Sequence, residues 1–378
     1  MKITFTVLTY YPDKNGVQMV TQYMAEGLAK AGHEVTVVTS RKEYSRGKEI
    51  YNGVQIVRFT VKNKLKIDYG QKKEFQRFLL SKKNKMDVLI TVCANTAFAT
   101  WVYPIIDKIS CRKIIYQHGM YDGHLHLNRI HSWERFIKQL LLTPYWELYH
   151  RRHWKQIMKY DACVHLFEGD SSHRYFEKHG FYNNHIIINT CEAVFFEDIS
   201  ESDLNINKKY GINRPYFLYV ANYCSRKNQK LAIESFCAMK NNDSELVLVG
   251  SKENQYVTEL RNLIKDMDFK YPDHGKIHLL VNISREEVIL LTRQCYVCLM
   301  SSNNEYLPIT IVESMACGHP FISTNVGVVS KLPGGMIAFE SEDLTYWMDY
   351  CVSNFRFVNE MGCIAKKYAR KNMYIKDK

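Results

Sequence analysis

The sequence has no uninterrupted apolar run near the roughly 18–20 residues that cross a bilayer, and Thr96 to Ile106 is among the longest candidates. It has no leader-like start either. Met1 to Thr9 is a short β-branched run that goes straight into Tyr10-Tyr11-Pro12-Asp13, without a charged start, apolar middle or small-residue cleavage site. No Gly-x-Gly-x-x-Gly follows any expected strand, which argues against a nicotinamide dehydrogenase. No internal repeat or low-complexity segment is found. The eleven cysteines are odd in number and scattered, so they read as reduced thiols rather than a disulfide framework. Disorder is excluded as well, because 46% of residues are hydrophobic and 26 Tyr and 18 Phe need burial. What remains is a soluble, cytoplasmic chain whose 378 residues exceed one compact core and suit two domains.

The net charge of +12 is unevenly spread. Residues 1–160 hold 27 basic against 12 acidic side chains, and residues 161–378 hold 24 against 27. The densest stretch is Lys62 to Lys85, with Lys64, Lys66, Lys72, Lys73, Arg77, Lys82 and Lys83 between. Such asymmetry points to an anionic partner for the first half: nucleic acid, a membrane surface or a phosphorylated acceptor. For any single lysine, a solvated face is the ordinary alternative.

Patterning gives the organisation. Ile3 to Leu8 suits a strand buried on both faces, and Gly16 opens a helix with Val20, Tyr23, Met24, Gly27, Leu28 and Ala31 on one face. Gly32 stops that helix and Val35–Val38 is the next strand. Further buried strands are expected at Val88–Val92, Lys113–Tyr116, Ala162–His165 and His185–Ile188. A second series starts near Tyr216, with strands at Phe217–Ala221, Leu246–Val249, Ile277–Leu280, Tyr296–Met300 and Phe321–Ser323. Its helices are expected at Gln229–Met239, Val257–Met267 and Ile309–Cys317, with a capping box at Ser284 and Glu287. Alternation of this kind specifies parallel sheets with right-handed crossovers. The expected fold is therefore α/β, two Rossmann-like domains facing a central cleft. We place them at residues 1–190 and 205–354, with a hinge in Cys191–Asn213 and a terminal helix at about 355–378 that packs back on the first domain.

Asn128 to Tyr160 stands apart. Trp133, Phe136, Ile137, Leu140 and Leu141 share one helical face, and Pro144 is expected to break the helix. A second helix then carries Trp146, Trp154, Ile157 and Met158 beside Arg151, Arg152, Lys155 and Lys159. Aromatic and basic residues on amphipathic helices suit a membrane interface, and an ordinary helix pair packed on the sheet is the alternative.

The most informative stretch is Ser301 to Gly318, SSNNEYLPITIVESMACG. Glu305 follows a strand and Glu313 lies in the next helix. In parallel α/β sheets ligands bind beyond the carboxyl ends of the strands. A helix starting near Pro308 aims its free amides and positive dipole end there, ready for a diphosphate. Carboxylates at such a place accept hydrogen bonds from sugar or ribose hydroxyls.

This pattern, E-x7-E followed by Ser314-Met315-Ala316-Cys317-Gly318-His319-Pro320 and then Gly327, resembles the family 4 glycosyltransferases, and the resemblance covers nearly the whole chain. Members are retaining enzymes of the GT-B fold that use nucleotide-sugar donors and need no metal or other cofactor. The resemblance implies that Glu313 binds the donor ribose and Glu305 the transferred sugar near its anomeric centre. Asn15-Gly16-Val17 looks like the glycine loop beside the donor diphosphate, and His118 in Tyr116-Gln117-His118-Gly119 stands at the active-site His. Asn189 sits at the crossover between domains. Val220 to Asn228 resembles the segment whose Arg and Lys hold the donor phosphates, with Lys227 stabilising the leaving-group charge. Tyr306, Leu307, Pro308 and Ile309 complete the implied donor contacts.

Three departures qualify the match. Asn222 stands at the family's Arg position, leaving Arg226 to take over. Glu305-Tyr306-Leu307-Pro308 replaces Glu-Gly-Phe-Gly, and Pro308 has no N–H to give. The crossover reads Ile188-Asn189-Thr190 instead of Pro-Asn-Gly. No charged group is lost without a substitute in reach, so an active enzyme is expected. The acceptor is expected to be a glycan, lipid-linked or otherwise anionic, in cell-surface polysaccharide or glycolipid synthesis. It would meet the basic first domain, peripheral on the inner face of a membrane, with nucleic acid reduced to a minor reading.

Weaker signals give way to plainer readings. Asp266-Met267-Asp268 ends an amphipathic helix instead of following a strand, and Cys295-x-x-Cys298 lacks a second ligand pair at zinc spacing. His118, His124, His126 and His131 have no matching carboxylate pattern for a metal cluster. Two alternatives remain: a nucleotide-sugar epimerase, for which the stretch around His118 offers only Asp122, and a non-catalytic protein that binds sugar nucleotide or membrane.

Overall fold

The computed structural model describes residues 1–13, 15–42, 47–64, 67–119, 133–197 and 205–374, the side chains of 133–135, 138–139, 141–142 and 205 excepted. His124, His126 and His131 of the possible metal cluster, and Asp122, lie outside these residues. The chain divides into two compact units, Met1–Ile188 and Asn189–Lys378.

The first unit contains β1 (Lys2–Thr6), α1 (Gly16–Lys30), β2 (Glu34–Ser40), β3 (Lys48–Tyr51), β4 (Val54–Phe59), β5 (Val61–Lys64), β6 (Ile67–Gly70), α2 (Lys72–Ser81), β7 (Val88–Val92), α3 (Ala97–Val102), β8 (Arg112–Tyr116), α4 (Trp133–Ile157), β9 (Ala162–His165), α5 (Ser171–Lys178) and β10 (Asn184–Ile186). Its main sheet runs β10-β9-β8-β7-β1-β2-β4-β3, and β5 pairs with β6 as a separate hairpin. All neighbours in the main sheet are parallel except the edge strand β3. Central strands such as β1 and β7 bury consecutive residues because helices cover both faces. The apolar run at Thr96–Ile106 is core: Phe98, Trp101, Val102, Ile105 and Ile106 pack with Phe75, Ile115 and Phe176.

Two expectations for this unit need correction. The buried side of α1 carries Gln18, Val20, Thr21 and Ala25, about one residue around from the expected face, and Gly27 is exposed. A polar Gln18 displaced the pattern because its side chain serves the capping box with Asn15 rather than solvent. Pro144 does not break the helix either. It lies inside a continuous α4, since one missing N–H removes a single rung while the following turns are anchored. Tyr149 donates to the Ala94 carbonyl at 3.1 Å, His150 and Ile157 are buried, and Trp154 packs edge-on to Tyr175 and Phe176.

The second unit contains α6 (Asn205–Tyr210), β11 (Tyr216–Val220), α7 (Gln229–Cys237), β12 (Glu245–Gly250), α8 (Gln255–Lys270), β13 (Ile277–Val281), α9 (Arg285–Gln294), β14 (Val297–Met300), α10 (Ile309–Cys317), β15 (Phe321–Thr324), β16 (Gly335–Ala338), α11 (Ser341–Ser353) and α12 (Phe355–Asn372). Its six strands are all parallel in the order β13-β12-β11-β14-β15-β16. The strand order reverses between β11 and β14, a doubly wound sheet with its switch point there.

The segment after Ile188, expected as a hinge, is part of this unit. Asn189 Nδ2 donates to the Leu307 carbonyl at 2.8 Å, and the Cys191 thiol approaches the Val312 carbonyl. The terminal helix α12 also packs within this unit, on α10. A Cβ at its Gly362 would collide with the Gly318 carbonyl, and Ala365 is fully buried. Among the described residues no helix is long and apolar enough to cross a membrane.

Candidate active site

The site is built at the switch point of the second unit. β11 delivers Ala221–Asn228, and β14 delivers Ser301–Pro308. The two loops are laced together. Ser301 Oγ donates to the Asn228 carbonyl at 2.8 Å, and the Asn303 amide donates to the Arg226 carbonyl at 2.9 Å. Beneath them the buried Tyr219 hydroxyl donates to the Lys227 carbonyl and accepts from Ser302 Oγ at 2.8 Å. Asn228 takes a left-handed conformation, φ 51°, which Asn tolerates better than most residues and which turns the chain directly into α7.

Across this lacing Lys227 Nζ meets Glu305 Oε1 at 2.5 Å, with both side chains largely shielded. A cation and a carboxylate therefore share one spot beyond the strand ends. Beside them α10 begins. Pro308, its N-cap, makes no side-chain cap, so the amides of its first turn keep their hydrogen-bonding capacity. That end of α10 is a place for an anion.

One helical turn into α10, Glu313 is almost completely buried. Its Oε1 accepts from Arg285 Nη2 at 2.5 Å, while Oε2 is sealed from solvent and has no hydrogen-bond partner among the described residues. Burial pushes the carboxyl up from its usual range, Arg285 draws it down, and Glu192 adds to the rise. An unsatisfied buried acceptor costs about 1–3 kcal/mol. A ligand hydroxyl would supply the missing bond.

The loop Glu305–Pro308 is held from two sides. Asn189 Nδ2 grips the Leu307 carbonyl, and the Val328 amide donates to the Tyr306 carbonyl at 3.0 Å. Gly327 lies flat against this loop at φ +56°. A Cβ there would collide with the Tyr306 carbonyl and lie 2.5 Å from the Glu305 carbonyl oxygen.

The structure thus brings Lys227, Glu305, Tyr306, Leu307, Pro308, Ile309 and Glu313 together. Asn222 and Arg226 are on the same β11 loop but differ in state. Asn222 Oδ1 is taken by the Ser251 hydroxyl at 2.7 Å, whereas the Arg226 side chain is exposed. Arg226 makes no ion pair among the described residues. Two further candidates lie in the first unit. Gly16 is the first residue of α1, behind the Asn15 cap, with open space where a Cβ would go. His118 follows β8, buried against the Tyr116 ring at 4.4 Å, and its Nε2 has no partner among the described residues. Burial pushes it down to about 3, so it is neutral at physiological pH.

The remaining sequence signals are structural. Asp266 and Asp268 lie in α8, where Asp268 pairs with His274 at 2.8 Å. Cys295 caps α9 and Cys298 lies in β14, both buried, and all eleven cysteines are free thiols. Among the described residues no group of His, Cys, Asp and Glu is arranged to hold a metal ion. Sequence reading missed Arg285 and Glu192 altogether. Nothing in the sequence links a charged residue at a helix start to partners that lie 28 and 93 positions away.

Comparison with known proteins places this architecture. Residues 14–164 match the family described as Glycosyltransferase Family 4, and residues 202–332 match Glycosyl transferases group 1. No curated protein matches the chain. Among solved structures, sucrose-phosphate synthase from Thermosynechococcus elongatus is similar over 100% of this chain and 96% of its own, with TM-score 0.73 and 13% identity. HepE of Anabaena, solved with UDP, matches over 100% of this chain and 97% of its own, with TM-score 0.73 and 16% identity. WaaG, described as a glycosyltransferase involved in lipopolysaccharide biosynthesis, matches over 97% and 95%, with TM-score 0.67 and 15% identity. One family match falls on each unit and the fold is shared throughout: the chain is a glycosyltransferase of family 4, with the GT-B fold.

Proposed function

We propose that this glycosyltransferase moves a hexose from a nucleoside-diphosphate sugar to a glycan acceptor with retention of anomeric configuration. The observation that carries the reading is the Lys227–Glu305 pair beside the uncapped start of α10, with buried Glu313 one turn further on. A nucleotide sugar has a matching order of groups. Its ribose hydroxyls suit the Glu313 oxygen that lacks a partner, its diphosphate suits Lys227, Arg226 and the α10 amides, and its sugar hydroxyls suit Glu305. HepE has been solved with UDP and with UDP-glucose, which supports a donor of this class.

In this reading the acceptor hydroxyl attacks the anomeric carbon on the face from which the diphosphate leaves. The bond to the phosphate oxygen breaks, and that oxygen takes the acceptor's proton. Lys227 stabilises the charge growing on the diphosphate, so the positive charge comes from the protein without a metal or other cofactor. Neutral His118 contacts the sugar or the reacting face as a hydrogen-bonding group. The acceptor is lipid-linked or otherwise anionic, met by the basic first unit at a membrane surface, in cell-surface polysaccharide or glycolipid synthesis. WaaG's described role is consistent with that setting.

A thermal-shift screen of nucleoside diphosphates and their sugars tests the reading, with Glu313→Ala as control. A rise in melting temperature for wild type, lost in the variant, is expected. No rise with any nucleotide sinks it.

A further inference from the structure

Arg285 opens α9 and is held by three groups at once. Its guanidinium lies over the Phe195 ring, 5.2 Å from the centroid. Nε and Nη2 donate to Glu192 Oε1 at 3.1 and 2.9 Å, and Nη2 also donates to Glu313 Oε1 at 2.5 Å. Phe195 and Glu192 are themselves anchored, because the neighbouring Cys191 thiol approaches the Val312 carbonyl of α10. A rigid planar fork clamped in this way fixes whatever it donates to. Its contact with Glu313 is to a single oxygen. A fork-on-fork pair would have consumed both.

We propose, resting on the reading of Glu313 as the ribose carboxylate, that Arg285 is a positioning residue. Clamped by Glu192 and Phe195, it orients the Glu313 carboxylate through Oε1 and leaves Oε2 to accept a hydroxyl of the donor nucleotide. It also supplies the cation that lets a buried carboxylate stay charged. The titratable or charged groups acting on Glu313 among the described residues are Arg285 of α9, Glu192 and Cys191 of the segment after Ile188, Cys298 of β14 and Cys317 of α10. Burial pushes all three thiols up, so they stay neutral. Arg285 alone among these groups lowers the Glu313 carboxyl. Without it Glu313 takes up a proton at higher pH and becomes a weaker acceptor.

Isothermal titration of the full chain with UDP, GDP and ADP, at about pH 6 and about pH 8.5, tests this with whichever nucleotide binds. Wild type should bind alike at both values. Arg285→Met should bind about tenfold more weakly at the acid value and recover most of the loss at the alkaline one. Arg285→Lys should keep the flat profile. Arg285→Gln, a gentler change that keeps a donor but no charge, should repeat the Met profile and decides the matter where Met does not fold. Arg285→Met combined with Glu313→Gln should show no pH response. Neutral variants that bind as wild type, or lose equally at both pH values while Glu313→Gln is weakened, overturn the positioning role and leave the ribose reading intact. Glu313→Gln binding as wild type, or no nucleotide binding to wild type, overturns the ribose reading and this proposal with it.

Discussion

Lys227 Nζ lies 2.5 Å from Glu305 Oε1, so the cation and the carboxylate proposed for neighbouring groups of the donor, its diphosphate and its sugar, neutralise each other in the free chain. On the proposed reading, each holds the other in place until a diphosphate and a sugar hydroxyl arrive. Breaking such a largely shielded pair destabilises a protein by about 1–3 kcal/mol, between the exposed and fully buried cases. The catalytic loss should be much larger. Lys227→Ala and Glu305→Gln should each lower kcat by about 10²–10³-fold, the scale for removing one electrostatic contact to a transition state. Initial rates and thermal melts on the same preparations check this. Activity within a few-fold of wild type would remove both residues from the chemistry.

Two glycines separate folding from function. Gly327 needs its positive φ and would press a Cβ into the carbonyls of Glu305 and Tyr306. Gly327→Ala should therefore cost stability, about 1–3 kcal/mol, and activity together. Gly16 has no such constraint, with open space at the Cβ position and an Asn15 cap that does not depend on it. If a donor diphosphate lies against it, Gly16→Ala should leave the stability within about 0.5 kcal/mol of wild type while raising KM for the donor. An unchanged KM would place the diphosphate elsewhere.

Elements with punctuation at both ends were legible in the sequence. Pro308 and Gly318 bound α10, Ser284 and Glu287 form the capping box, and β9 emerges at the expected residues. Between Lys48 and Ser81 no strand or helix was expected: β3, β5 and β6 are four residues each and mostly exposed, and the β5–β6 hairpin carries no alternation, whereas β4, VQIVRF, is apolar and buried and its signal was missed. At Pro144 local propensity pointed to a break and tertiary packing overrode it. The Glu305 and Glu313 pair was visible because its spacing sits within one loop and one helix. The Arg285 clamp was not, since it is assembled from Glu192, Phe195 and Glu313, which only the fold brings together.

His118 should make the protein acid-sensitive in a defined window. Burial lowers its pKa from the ordinary 6.5 to about 3, so between these values the unfolded chain holds a proton that the native state refuses. Native stability is then intact above 6.5 and declines as pH falls towards 3. His118→Phe removes the titrating group and keeps an aromatic ring beside Tyr116. Its melting temperature should fall less than that of wild type between about pH 6.5 and about pH 4, by an amount equivalent to about 2–3 kcal/mol. Parallel acid-melting curves would show that His118 is not buried in its neutral form.

The basic first unit should direct the enzyme to anionic surfaces. Lys62, Lys64, Lys72, Lys73, Arg77, Lys83 and Lys85 are all exposed on or beside the β5–β6 hairpin and α2. On α4, Ile137, Leu140 and Leu148 are exposed ahead of exposed Arg151, Arg152 and Lys155, with exposed Lys159 just past its end, an apolar stretch followed by a basic one. Each lysine near an anionic leaflet contributes about 1 kcal/mol, and the apolar side chains add insertion. The chain should therefore sediment with vesicles containing phosphatidylserine and stay in solution with phosphatidylcholine alone. Changing Lys62, Lys64, Lys72 and Lys73 to Gln should release it, as should raising the salt to about 0.5 M, where screening shortens the reach of each charge. Leu148→Ser should weaken binding at low salt without changing how steeply it falls as salt rises. Equal sedimentation with both kinds of vesicle would leave the positive charge serving a soluble anionic acceptor instead.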